Sequence, residues 1–180
     1  MKRMTLTLTL LLTCYAPLSA AQSCKPDQIL PTQPEGQFLD NGDGTVTDIV
    51  NGLMWTKCSL GQTYVDGECQ GTPTNYTTWQ SALVAASRNQ TYAQKGQWRL
   101  PNIKELGSLV ERSCVAPAIN LGTFPSTPSA AYWSNTFDAD QVNQAAGIKG
   151  RIVDFTDGTE FLTDVSLHRL VRMVRDLTAQ

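Results

Sequence analysis

Cys24, Cys58, Cys69 and Cys114 constrain this chain more than any other feature, because of what precedes them. Lys2 and Arg3 open the sequence, the apolar run LTLTLLLTCYAPL follows, and the small residues Ser19, Ala20 and Ala21 close it. That order reads as a secretory signal peptide over residues 1–21, cleaved after Ala20 or Ala21. The apolar run is shorter than the ~20 residues a membrane-spanning helix needs. No later segment qualifies, so the mature chain is expected to be soluble and exported, to the periplasm or outside the cell, with no membrane insertion. A competing reading acylates Cys14, as in a bacterial lipoprotein, but Thr13 suits that signal poorly and a good cleavage site lies just beyond. Once Cys14 leaves with the signal, an even number of cysteines remains in an oxidising compartment, and two disulfides are expected. Four cysteines permit three pairings. Cys58–Cys69 would close a local loop, and Cys24–Cys114 would tie the N-terminal segment to the middle of the chain; these are the favoured pairs. A zinc site is disfavoured, since no CxxC occurs and the single histidine, His168, is distant.

The 180 residues suit one domain with a real core. Loss of residues 1–21 takes the net charge from −2 to −4. A mildly acidic chain carries no electrostatic footprint for nucleic acid.

Residues 22–37 are rich in Pro and Gln and read as an extended leader held by Cys24. The turn signals NGDG and NG then separate three short strands, Phe38–Asp40, Thr45–Val50 and Leu53–Thr56. Asn51-Gly52 suits a tight hairpin in which both residues adopt positive φ. Residues 57–76 form a loop rich in Gly and Thr. Trp79, Ala82, Leu83 and Ala86 recur at helical spacing behind Thr77 or Thr78 as cap. A second helix is predicted from Pro101 to about Ser113, capped by Asn102 with Glu105, its buried stripe Ile103, Leu106, Leu109 and Val110. The C-terminal third reads as β: AYWSNTF, GIKGRIVDF, TEFLTD and HRLVRMVRD, with a turn at Asp157-Gly158. Strands, two helices, then strands define an α+β domain.

The blocks DNGDGTVTDIVNGLMWTKC, WQSAL, WRLPNIKEL, PAIN, FPSTPSAAYWSN and RLVRMVR occur in that order from Phe38 to Arg175. Together they resemble the bacterial family named after the C-terminal domain of the Legionella collagen-like adhesin, here spanning residues 38–180. That family is similar to the C-type-lectin-like superfamily, and WRLPNIKEL also resembles a segment of formylglycine-generating enzymes. The resemblance implies two helices, curved antiparallel sheets, long loops, and N- and C-terminal strands lying together. It does not carry over calcium-dependent sugar binding: QPE at Gln33–Glu35 is in the wrong part of the chain, and WSNT at Trp133 is not the required run. No collagen-like Gly-X-Y tract occurs in these residues, so a trimeric stalk is not implied and oligomeric state stays open.

No motif implies a cofactor. A catalytic triad must use His168, expected to be a satisfied structural residue, and there is no G-x-S-x-G or phosphate loop. The acids Asp154, Asp157, Glu160 and Asp164 read as solvated hairpin edges. Asp40–Asp48 tempts a calcium assignment, but alignment of Gly44 with the EF-hand glycine puts Leu39 and Val50 where ligands belong. Trp55 and Trp98 are expected in the core, Pro101 to end a short strand, and Arg99 to make a half-buried ion pair with Glu105 or Glu111. Tyr64, Tyr76, Tyr92 and Tyr132 lie in or near loops and suit a binding surface; the candidate ligand-binding set is Tyr64, Tyr76, Tyr132 and Trp133, with Lys149 and Arg151 as a basic patch, and core packing is the competing account of Trp133. Arg169, Arg172 and Arg175 alternate along one strand and suit ion pairing and edge protection. The expected function is non-catalytic recognition of a glycan or a cell-surface partner. An exported assembly subunit is the alternative, and an enzyme is the less favoured third reading.

Overall fold

The computed structural model describes residues 21–138 and 147–177; the signal segment, apart from Ala21, lies outside them together with Cys14. The leader contributes one short strand, β1 (Ser23–Cys24), which pairs antiparallel with β7 (Cys114–Val115). Cys24 and Cys114 face each other in that register and are joined as a disulfide. The leader therefore lies against the middle of the chain. The C-terminal strand β11 (Val174–Asp176) pairs with another partner, β4 (Leu53–Thr56), so the expectation of leader and terminal strands side by side does not hold. One covalent bond and two pairs of residues satisfy the leader where it is.

A second clamp holds the leader. The Glu111 carboxylate accepts the backbone N–H groups of Thr32 (3.1 Å), Gln33 (3.3 Å) and Ser113 (2.9 Å), and the Ser113 hydroxyl at 2.7 Å. Burial alone would raise its pKa, but these donors outweigh burial and hold it below the ordinary 4.5. A group with a depressed folded-state pKa stabilises fully above its unfolded value and loses that contribution as pH falls through the folded value. Stability is therefore expected to decline below about pH 4.5 in part through this carboxyl. Glu111→Gln should cost about 1.5–3 kcal/mol at neutral pH and flatten this acid limb, as read by urea unfolding at pH 7 and pH 4.

Turn chemistry builds the first sheet. β2 (Phe38–Asp40), β3 (Thr45–Asp48) and β4 form a meander, and β11 completes the order β11-β4-β3-β2. Asp48 caps the second turn by accepting the N–H groups of Val50 and Asn51, both at 3.1 Å. That turn spans four residues, because Asp48 pairs with Leu53, and only Gly52 adopts positive φ, +66°. Asn51 needs no left-handed conformation once Asp48 supplies the acceptor. A hairpin of β5 (Thr63–Val65) and β6 (Glu68–Gln70) carries Cys69, which is bridged to Cys58.

Helix α1 (Trp79–Arg88) starts at Thr78, whose hydroxyl accepts the Ser81 N–H while Ser81 Oγ accepts the Thr78 N–H. Ala82 and Ala86 bury its inner face. Helix α2 is only Ile103–Gly107, capped reciprocally by Asn102 and Glu105, much shorter than predicted. Gly107 weakens it, and Val110 leaves the helix to bridge Ile119. Leu109 and Val110 are still buried, but tighter i→i+3 bonds to Leu106 and Gly107 turn them inward.

The third sheet runs β10 (Thr159–Asp164), β9 (Lys149–Asp154), β8 (Ala131–Phe137), with a register shift in β8 after Trp133. Alternation along β8 and β9 sends Tyr132 and Val153 into one core and Trp133 and Ile152 into the other. The first core also holds Trp55, Leu106, Phe124 and Phe155; the second holds Ala82, Ala86, Trp98 and Leu100. A sheet whose strands β8 and β9 send side chains into both cores, two helices, short antiparallel sheets and two disulfides make an α+β domain consistent with the C-type-lectin-like fold.

The closing segment is not one long strand. Arg169 bridges Tyr76, Leu170 bridges Tyr132, and only Val174–Asp176 is regular. Arg172 does not protect an edge. It is fully buried, and its guanidinium donates to Thr56 O (2.8 Å), Lys57 O and Thr127 Oγ1 (2.7 Å) while lying 4.8 Å from the Phe124 ring centroid.

Candidate functional site

The residues predicted for a binding surface do not converge. Tyr132 and Trp133 are completely buried, one in each core, and Tyr132 Oη is 2.5 Å from Ser59 Oγ. Both are packing residues and not ligand contacts: adjacent positions on a strand covered on both sides both point into core. Tyr76 is half-buried beside Arg169. Lys149 and Arg151 share a face of β9, where Arg151 is spent on Glu160 at 2.9 Å.

Tyr64 alone of that group lines a cleft of mixed character. This depression of about 300 Å³ is walled by Asp43, Gln62, Thr63, Tyr64, Tyr92 and Ala93. It forms over the first turn of the β2–β3 hairpin. Gly44 supplies the close approach there: at φ +84°, a Cβ on it would come within 2.9 Å of Tyr64 Cβ and 3.0 Å of Tyr92 Oη. Tyr92 Oη donates to Gly44 O at 3.2 Å. Tyr92 sits in a 3-10 turn, Tyr92–Gln94, in which Ala93 and Gln94 hold φ of +50° and +57°. Two non-glycine residues in the left-handed region are strained, a state that clusters at functional sites.

Charges around the cleft are fixed by partners. Lys57 Nζ donates to Asp40 Oδ2 at 2.8 Å and Tyr64 Oη at 3.2 Å, and lies 5.0 Å from the Tyr64 ring centroid. Lys95 pairs with Asp43, and Asp43 Oδ1 also accepts the Thr45 N–H at 3.1 Å. The Lys57 hydrogen bond, aided by the Gly42 N–H, holds the Asp40 carboxyl low. Burial works against ionisation of Asp43 and Lys57, yet Lys95 and Thr45 keep Asp43 low, and Asp40 and Tyr64 keep Lys57 high. Burial pushes the Tyr92 phenol up. None of these shifts moves a group toward neutral pH, where general acid–base catalysis works best. The acids of the hairpin are likewise committed to turn N–H groups and lysines, and no cluster of three or more metal-type ligands occurs among the described residues.

A polar depression of about 370 Å³ brings Ser129, Asp154 and His168 to one wall with Arg169. His168 is exposed, not the satisfied structural residue expected from the sequence. Asp154 Oδ1 accepts the Thr156 N–H at 2.8 Å, and no hydrogen bond joins the three residues into a relay.

Arg99 makes a half-buried network that was only partly legible. It donates to Glu105 Oε2 at 2.8 Å and to Asp176 Oδ1 at 2.6 Å, tying α2 to β11. The two carboxylates raise its pKa, led by Glu105, against a smaller effect of burial. The remote sequence position of Asp176 hid it.

The two disulfides point to an oxidising compartment, and no helix among the described residues is long and apolar enough to cross a membrane. No curated protein and no solved structure matches the chain. Residues 44–175, most of the sequence and nearly all of the fold just described, match the model of the Lcl C-terminal domain, and the chain belongs to that family.

Proposed function

We propose that this chain is an exported, non-catalytic recognition domain that binds a glycan, or a sugar-bearing partner at a cell surface, in the Tyr64–Tyr92 cleft. The observation that supports it most is the cleft's composition. Two tyrosines, one carboxylate and one amide line a concave surface, and their charged neighbours are held in place before any ligand arrives. Aromatic faces suit the apolar faces of sugar rings, and a few placed polar groups suit hydroxyls. Membership of an adhesin-associated family agrees with this reading.

A glycan array followed by calorimetry on the mature chain tests it. Tyr64→Ala is expected to weaken any glycan found by about tenfold or more, equivalent to about 1.4 kcal/mol. Tyr64→Phe, which keeps the ring against Lys57 and Gly44, should leave the fold nearly as stable as the parent and serves as the control for folding. No retention on glycans or heparin, or binding indifferent to Tyr64, would remove the proposal.

A further inference from the structure

Tyr64, one wall of the cleft, stands on the β5–β6 hairpin, a sheet of two strands with no third beside it among the described residues. A lone two-stranded hairpin is marginally stable in water. Thr63, Val65, Glu68 and Gln70 are exposed and Tyr64 is half-buried; Cys69, 6% exposed, is the strand residue that enters the domain. Backbone hydrogen bonds of residues 63–70 stay inside the hairpin. Asp66 and Gly67, at φ +50° and +90°, form a tight turn that needs no outside support. The hairpin can therefore make itself but cannot place itself.

The Cys58–Cys69 bridge places it. Tyr64 and Cys69 are register partners, and such partners share a face of the sheet. Cys58, at the other end of the bridge, lies on a fixed stretch. Lys57 N donates to Gly44 O at 2.8 Å, Leu60 N to Val171 O at 2.8 Å, and Thr56 Oγ1 to Cys58 O at 2.9 Å. Gly44 O also accepts the Tyr92 hydroxyl, so the stretch that carries Cys58 carries the opposite wall of the cleft too. Two side-chain bonds reach the hairpin besides the bridge, from Lys57 Nζ to Tyr64 Oη at 3.2 Å and from Ser126 Oγ to Glu68 Oε2 at 3.0 Å. Bonds of this kind replace bonds to water at small net gain.

Cys24–Cys114 serves another part of the molecule. The leader it holds is also fastened by Glu111 and by Gln22 Nε2, which donates to Pro117 O at 2.7 Å and Ile119 O at 2.6 Å. No leader residue lines the cleft. Neither core cluster contains Cys58 or Cys69.

We infer that the Cys58–Cys69 bridge is the positioning element of the cleft and makes it redox-dependent: reduction by a dithiol frees the Tyr64 wall while both cores stay folded. A thiolate of the dithiol attacks one sulfur to give a mixed disulfide, and its second thiol then displaces the remaining cysteine. Two cysteine thiols and one oxidised dithiol result. With Cys58 1% and Cys69 6% exposed, attack waits on opening of the hairpin. A freed wall must be ordered again by any ligand, which costs affinity. What the cleft binds rests on the glycan reading; the positioning is measured without a ligand.

The test compares the mature chain with Cys58→Ser/Cys69→Ser by amide exchange and by tyrosine nitration with tetranitromethane. The double variant is expected to exchange about tenfold or more faster across residues 63–70 and to nitrate faster at Tyr64, with β4 and β8 protected as in the parent. Cys24→Ser/Cys114→Ser is expected to leave both readings at residues 63–70 unchanged. Dithiothreitol added to that second variant, where one bridge remains, should raise exchange across residues 63–70 with no substitution near the cleft. Unchanged exchange there once the bridge is gone, or loss of protection in both cores along with it, overturns the inference. On the glycan array, Cys58→Ser/Cys69→Ser should bind about tenfold more weakly whatever the parent retains. A parent that retains nothing defeats the glycan reading and leaves the exchange result to decide the role of the bridge.

Discussion

Arg172→Ala is expected to lower stability by about 3–5 kcal/mol, the scale for truncating a large buried side chain and stranding the buried acceptors it satisfied. The guanidinium is 0% exposed and has no carboxylate partner among its hydrogen bonds. Its donors go to two carbonyls at the end of β4 and to the Thr127 hydroxyl, and its plane rests near the Phe124 and Tyr132 rings, 4.8 and 6.0 Å from their centroids. Burial pulls its pKa down, with Tyr132 opposing. Truncation removes packing and also strands the acceptors that the arginine satisfied. Arg172→Met separates these two effects, because it keeps much of the volume. It should still cost about 2 kcal/mol, since buried acceptors left without donors are each worth about 1–3 kcal/mol. Urea unfolding of the three proteins measures both. A methionine variant as stable as the parent would show that the arginine only fills space.

Trp98→Ala is expected to cost about 3–5 kcal/mol, the range for truncating a buried aromatic. The indole is 1% exposed, donates from Nε1 to Lys95 O at 2.9 Å and Tyr92 O at 3.2 Å, and meets the Tyr92 ring edge-on at 5.7 Å. Those contacts seat the strained turn that forms one wall of the cleft. The variant should therefore lose stability and also change the cleft, visible as altered Tyr92 fluorescence or chemical shifts. Trp98→Phe, which keeps most of the ring but loses the donor, is expected to cost about 1–2 kcal/mol. Normal stability in Trp98→Ala, measured by the same unfolding series, would contradict its place as a core residue.

Local chemistry made much of this fold readable. The strands Phe38–Asp40 and Leu53–Thr56 follow from turn signals between branched and aromatic residues, and α1 follows from its spacing and its threonine cap. These elements depend on neighbours in sequence. What failed depended on distant partners. Leu109 and Val110 carry a helical stripe, but Val110 is drawn into a bridge with Ile119. Tyr132 read as a loop-side aromatic and Trp133 stood between ligand contact and packing; both are buried, one in each core, because β8 is covered on both sides at these positions. Arg172 lies in a strand-like alternation that says nothing of the carbonyls waiting for it more than a hundred positions earlier. Both tyrosines of the cleft, Tyr64 and Tyr92, read from the sequence as loop aromatics, but not as neighbours. Tyr92 reaches it only because an irregular turn with two positive φ values swings it over Gly44.

The path of residues 169–177 has a consequence for how the molecule comes together. Their backbone bonds reach Tyr76, Tyr132 and Trp133 through Ala131 and Leu170, Leu60, Thr56, Arg99 and Gly52, so one short segment is the common wall of both cores. Leu170 and Val174 close one core, and Val171 and Met173 close the other. The domain is built like an arch with this segment as its keystone: its removal takes a wall from both cores at once. The bonds to Tyr76, Leu60, Thr56 and Gly52 join residues far apart in the chain, a topology that slows folding.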